Sequence, residues 1–88
     1  MVYMISYDLH APTNNRKELE NAIESLGAWC KYLTTTYLVK SNLSLSSIQA
    51  NLATILDNND SMIIAKVTNI NGWLSNDKWD WINKNIMN

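Results

Sequence analysis

The spacing of apolar positions along this chain changes period several times, and each change marks an element. In Val2 to Asp8, Tyr3, Ile5 and Tyr7 point one way and Val2, Met4 and Ser6 the other, and both sets are mostly apolar. A strand apolar on both sides belongs in the interior of a sheet. Leu9 to Asn15 reads as a loop in which Pro12 blocks ladder pairing, and Asn15 precedes Glu18 by three residues, as in a capping box. Leu19, Ala22, Ile23 and Leu26 then follow the i, i+3, i+4, i+7 spacing of one helix face, ended by Gly27.

Ala28 to Lys40 is rich in Trp, Tyr, Thr, Leu and Val, carries Thr34-Thr35-Thr36 at its middle and has no helical period, which predicts two strands in a tight hairpin. Ser44 caps a second predicted helix through Leu45, Ile48, Leu52 and Ile55, broken by Asp57-Asn58-Asn59-Asp60. Met62 to Val67 is a last, buried strand. The order βαββαβ predicts a ferredoxin-like α+β domain: a four-stranded antiparallel sheet with both helices on one face and the first strand inside. Residues 2–67 form this core and 68–88 a C-terminal extension of the same single domain, 1–88.

The extension turns at Asn69 to Gly72, steps through Trp73-Leu74 and enters a third helix capped by Ser75 or Asn76, with Trp79, Ile82 and Ile86 on one stripe. That stripe either covers the open sheet face or reaches a second subunit.

Composition narrows the function classes. Seven basic against eight acidic residues give a net charge of −1, which is not the footprint of an avid, non-specific nucleic-acid binder. Four Trp and four Tyr without any Phe suit places where a ring meets water or a partner chain, and favour a homo-oligomer. The lone Cys30 cannot close an internal disulfide and reads as a small buried hydrophobe, consistent with a reducing compartment. No apolar run has the length of a membrane span and the N-terminus lacks a signal pattern, so the expectation is a cytoplasmic protein with no membrane contact.

Asp8 is the first residue that suggests chemistry, because a carboxylate at the end of an interior strand is held by the sheet yet open to metal or substrate. Mg²⁺ or Mn²⁺ at a phosphate often takes only one or two protein carboxylates plus water, and a two-fold axis beside the first strands would bring two Asp8 side chains together. The competing reading is an Asp that caps its loop. His10, two residues on, is a candidate acid or base, or plain exposed surface. Arg16 and Lys17 open the first helix against its dipole, so phosphate contact explains them better than helix stability does; the alternative is a solvated pair balanced by Glu18, Glu20 and Glu24. Lys31, Lys40 and Lys66 extend a basic strip or protect sheet edges. No nucleophile triad, Gly-rich phosphate loop or His/Cys metal cluster is present.

These residues together resemble the small CRISPR-associated proteins of spacer acquisition, the family second in that system's naming, and the related virulence-associated protein D toxins. The likeness rests on Met4-Ile5-Ser6-Tyr7-Asp8-Leu9, on Arg16-Lys17, on Gly27 and on Thr36-Tyr37-Leu38, over roughly residues 2 to 67. It implies a homodimer with sheets facing across a two-fold axis, and paired Asp8 carboxylates holding a divalent cation for hydrolysis of RNA or DNA. It also implies that Arg16 and Thr36 lie near the nucleic acid or the site. Three departures stand beside it: the chain is slightly acidic where the family is often basic, Thr36 replaces a Ser, and the tail reads as a Trp-rich helix instead of a short strand.

Three functional expectations follow. The first is a dimeric, metal-dependent endonuclease with Asp8 as catalytic residue and metal ligand, Thr36 or His10 assisting, and Arg16, Lys17 and Lys31 on the nucleic acid. The second is a non-catalytic assembly or adaptor protein using Trp29, Trp73, Trp79 and Trp81 against a partner protein. The third uses Tyr3, Tyr7 and Tyr37 on the open sheet face as a stacking platform for single-stranded RNA.

Overall fold

A computed structural model describes residues 1–10 and 15–85 in full and residues 12–14 by their backbone. The elements run β1 (Val2–Asp8), α1 (Pro12–Glu24), β2 (Ala28–Leu33), β3 (Thr36–Lys40), α2 (Leu45–Ala53), β4 (Ser61–Val67) and α3 (Asn76–Asn85). The strands form one antiparallel sheet in the order β2-β3-β1-β4, the ferredoxin-like arrangement with a helix added at the C-terminal end. As its two apolar faces require, β1 is interior: Ile5 faces Tyr37 on one side and Ile64 on the other.

Two cores lie on opposite sides of the sheet. On the helix side, Tyr3, Ile5, Tyr7, Tyr37 and Val39 pack with Leu19 and Ile23 of α1 and Ile48 and Leu52 of α2. On the other side, Val2 and Leu38 pack with Ile82 of α3, flanked by Met4, Tyr32, Val67, Ile70, Leu74, Trp79 and Trp81. The tail stripe therefore covers this chain's own sheet; Ile86, the last predicted position of that stripe, lies outside the described residues. α3 also has Asp77 in its first turn and Lys84 in its last, both matched to the helix dipole, and Lys78 Nζ donates to the Tyr32 carbonyl at 2.8 Å.

Several local expectations need correction. α1 begins at Pro12, so Asn15 lies inside the helix and does not cap it. Pro is well suited to a first helical turn, where its missing N–H would have no helical partner and its fixed φ is already helical. Gly27 follows α1 without a left-handed φ; a Cβ there would overlap the Lys40 carbonyl oxygen, so the glycine serves a close approach between chain segments. β4 is an edge strand with alternating exposure, and Ile63 on it is 62% exposed. Ser44 does cap α2, its hydroxyl accepting from Ser47 N at 3.2 Å, and Thr34-Thr35 make the hairpin turn before β3. Cys30 is half-buried; burial pushes its thiol up against the opposing effect of Lys78, so it is not an activated thiolate.

Candidate functional site

β1 ends at Asp8, and the register sets what surrounds it. Val2, Met4, Ser6 and Asp8 share the face away from α1 and α2, opposite Val67, Ala65, Ile63 and Ser61 of β4. α3 covers the Val2 end of this face, whereas the Asp8 end opens on a broad hollow of about 420 Å³ lined by Ser6, Tyr7, Asp8, Thr35, Ser61, Met62 and Ile63. A second, smaller cleft of about 160 Å³ adjoins it, lined by Tyr7, Asp8, Leu9, Arg16 and Thr35. Asp8 borders both and is exposed, and its carboxylate accepts no hydrogen bond among the described residues.

The other candidates divide. Arg16 shares the smaller cleft with Asp8; its Nε donates to Glu20 Oε2 at 3.3 Å and its Nη2 to the Thr34 carbonyl at 3.2 Å. Lys17 is exposed on the next position of α1. Thr36 is buried, and its hydroxyl pairs with Ser6 Oγ at 3.0 Å across the β1–β3 ladder; Thr36 does not line the hollow, whereas Ser6, Thr35 and Ser61 do. Lys31 lies on the helix side, where Nζ meets Glu20 Oε2 at 2.8 Å and sits 5.7 Å from the Tyr37 ring centre. His10 is exposed, and its backbone N–H donates to Asp60 Oδ1 at 2.8 Å.

The tyrosine platform is overturned. Tyr3, Tyr7 and Tyr37 are 1%, 4% and 0% exposed and belong to the helix-side core. Their hydroxyls are all engaged: Tyr3 donates to the Leu43 carbonyl at 2.8 Å, Tyr7 to Glu20, and Tyr37 to Glu24 at 2.7 Å. Burial first, and the glutamate hydrogen bonds second, push the Tyr7 and Tyr37 phenols well above their ordinary range.

Glu20 was expected only to balance Arg16 and Lys17, and Asp60 only to break a helix, yet both are polar hubs. Glu20 accepts from Tyr7, Arg16 and Lys31; burial opposes its ionisation, but the hydrogen bonds from Lys31, Tyr7 and Arg16 outweigh it and hold the carboxyl below its ordinary range. The i, i+4 spacing of Arg16 and Glu20 was visible, but the approach of Tyr7 and Lys31 depends on how α1 crosses the sheet. Asp60 accepts from the Asp57 and His10 backbone N–H groups, which lower its pKa and tie the β1–α1 loop to the α2–β4 loop.

No protein-family model matches this sequence, and no curated protein matches it significantly. Among solved structures, the chain is similar to the hypothetical protein TT1823 from Thermus thermophilus, with a TM-score of 0.68 and 20% sequence identity over 84% of this chain and 89% of that one. At that identity the likeness bears on the fold alone.

Asp8 suits a hard divalent cation chemically, being an exposed carboxylate with hydroxyls beside it. Yet no group of three or more His, Cys, Asp or Glu that could hold a metal ion occurs among the described residues.

Proposed function

We propose that two copies of this chain form a nucleic-acid phosphodiesterase, with an Asp8 from each holding one Mg²⁺ or Mn²⁺. The observation that carries this reading is the position of Asp8: an exposed acid at the end of an interior strand, between two hollows, with an Arg16 guanidinium on the wall of one. Within it, Arg16 binds and orients a phosphate, Lys17 adds charge at the approach, and Ser6 supplies the hydroxyl first assigned to Thr36. His10 carries the only imidazole and is the candidate proton carrier. When bound, the cation supplies charge neutralisation at the phosphate.

The test is incubation of purified protein with Mg²⁺ or Mn²⁺ and end-labelled RNA and DNA, single- and double-stranded. Cleavage that disappears in Asp8→Ala, with the dimer intact by sedimentation, is the expected result. Intact substrates under all conditions, or an Asp8→Ala variant as active as wild type, would sink the proposal.

A second reading, a non-catalytic assembly protein, is favoured by one specific observation. Ile63 and Trp73 are 62% and 100% exposed, two large apolar side chains that a partner would cover. It predicts that a double Ile63→Ser, Trp73→Ser variant loses self-association or partner binding while no form cleaves nucleic acid.

A further inference from the structure

Arg16 is tied at two points, to Glu20 and to the Thr34 carbonyl, and in that position it helps to wall the cleft beside Asp8. Its remaining N–H groups meet no acceptor among the described residues and are left for a ligand. A lone Arg–Glu pair would cancel the charge that an anion seeks. Here the single Glu20 oxygen is shared by two cations, and the shorter contact, 2.8 Å against 3.3 Å, belongs to Lys31. The Tyr7 hydroxyl also donates to that oxygen and anchors the carboxylate to the core. Glu24, the next carboxylate along this side of α1, is engaged by Tyr37. Taken by itself, the Arg16–Glu20–Lys31 cluster carries one net positive charge, set beside the Asp8 carboxylate on the same cleft and presented through the planar, rigid guanidinium.

We propose that Glu20 is a positioning residue: with Lys31 neutralising it and Tyr7 orienting it, Glu20 holds the Arg16 guanidinium at the cleft as the donor for a nucleic-acid phosphate beside Asp8. The proposal rests on the phosphodiester reading above, and it removes Lys31 from the phosphate contacts. Its consequence is a reversal of sign. Deleting a carboxylate from an anion-binding surface ordinarily tightens anion binding. If Glu20 positions Arg16, Glu20→Ala weakens binding, whereas Glu20→Gln, which keeps an oxygen acceptor, does not.

The experiment is fluorescence anisotropy with a labelled single-stranded RNA and a DNA of the same sequence, in EDTA, from about 50 to 200 mM salt. Arg16→Ala should weaken binding about tenfold, the scale of a charge-assisted hydrogen bond, and lower the slope of log K against log salt by about 0.7 per Arg16 in contact. Glu20→Ala should weaken binding at least about threefold at the lowest salt, with Glu20→Gln at or above wild-type affinity. Because Glu20→Ala strands the Tyr7 hydroxyl, the comparison is repeated in a Tyr7→Phe background, where no buried hydroxyl is left over. Wild-type or tighter binding by Glu20→Ala in both backgrounds, or an unchanged salt slope in Arg16→Ala, overturns the proposal. Failure of the phosphodiesterase reading looks different: binding keeps its dependence on Arg16 and Glu20, but Mg²⁺ or Mn²⁺ produces no cleavage. If the wild-type chain binds neither oligonucleotide, both fall.

Discussion

Replacing Ile82 by Ala tests whether α3 is part of the fold or a loosely attached tail. Ile82 is fully buried against Val2 and Leu38, on the sheet face that α1 and α2 leave open. The substitution removes three carbon atoms, worth about 0.8 kcal/mol each in lost burial, or about 2.4 kcal/mol. A residual cavity adds to this, held down because the site lies under a single helix that can settle, so the expected loss is about 3 kcal/mol. For a domain of this size that lowers Tm by about 12–24 °C. Urea unfolding followed by far-UV circular dichroism measures the loss, and Trp fluorescence reports whether Trp79 and Trp81 become wetter with it. Asn83→Ala, an exposed position on the same helix, is the control and should stay within about 0.5 kcal/mol of wild type. An Ile82→Ala variant as stable as that control would refute the docking of α3 and, with it, the division of the sheet face into covered and open ends.

Three further predictions follow from the packing. Gly27→Ala should destabilise the fold by about 1–3 kcal/mol or more in urea unfolding, because its Cβ would meet the Lys40 carbonyl oxygen; a neutral result would show that the α1–β2 junction can yield. Glu20 and Asp60 are both held below their ordinary values of 4.5 and 3.8, so the unfolded chain binds more protons than the folded one. Their stabilisation is fully present above those values and is lost as pH falls through the lower folded ones. Urea midpoints should thus be flat from pH 7 to about 5 and fall below about 4, less steeply in Glu20→Gln; an equally steep fall in that variant would count against the Glu20 network. Deleting residues 75–88 should expose Val2, Leu38 and Met4, raising dye binding to apolar surface and the mass seen by light scattering; a truncated chain indistinguishable from the full one would contradict the second core.

The fold was legible wherever one residue pattern admitted one reading. β1 read as interior because both its faces are apolar, and Ser44 read as a cap because a hydroxyl before a helical stripe has little else to do. The same double-sided pattern hid which face of β1 the helices cover. Tyr3, Ile5 and Tyr7 are no more apolar in kind than Val2 and Met4, so the pattern alone does not say that the tyrosines face the helices. Arg16, expected to open α1, lies in its second turn because the helix starts at Pro12, whereas the place of Asp8 at the end of β1, a local feature, was legible. Lys31 was not, because its partner Glu20 is supplied by the crossing of α1 over the sheet. Nor was Asp60, which meets the His10 N–H across 50 residues of sequence.

The two ends of the non-helical sheet face differ in chemistry on β1, on β4 and over the Leu38–Thr36 part of β3, and this bears on how two copies can meet. On β1 the face runs Val2, Met4, Ser6, Asp8; on β4 it runs Val67, Ala65, Ile63, Ser61; on β3, Leu38 gives way to Thr36. The apolar ends converge beneath α3, where Ile82 seals them, and the polar ends converge at Asp8, where nothing among the described residues does. Full face-to-face stacking of two such sheets would require α3 to leave, giving up its packing on the second core. An approach confined to the polar end requires no such loss: it brings the two Asp8 carboxylates towards each other and gives the exposed Ile63 an apolar partner. Two carboxylates meeting there repel unless a cation or a proton lies between them, so pairing at this end should itself depend on a divalent ion, whereas pairing through an undocked α3 should not. The ion dependence of self-association thus separates the two geometries without reference to any substrate.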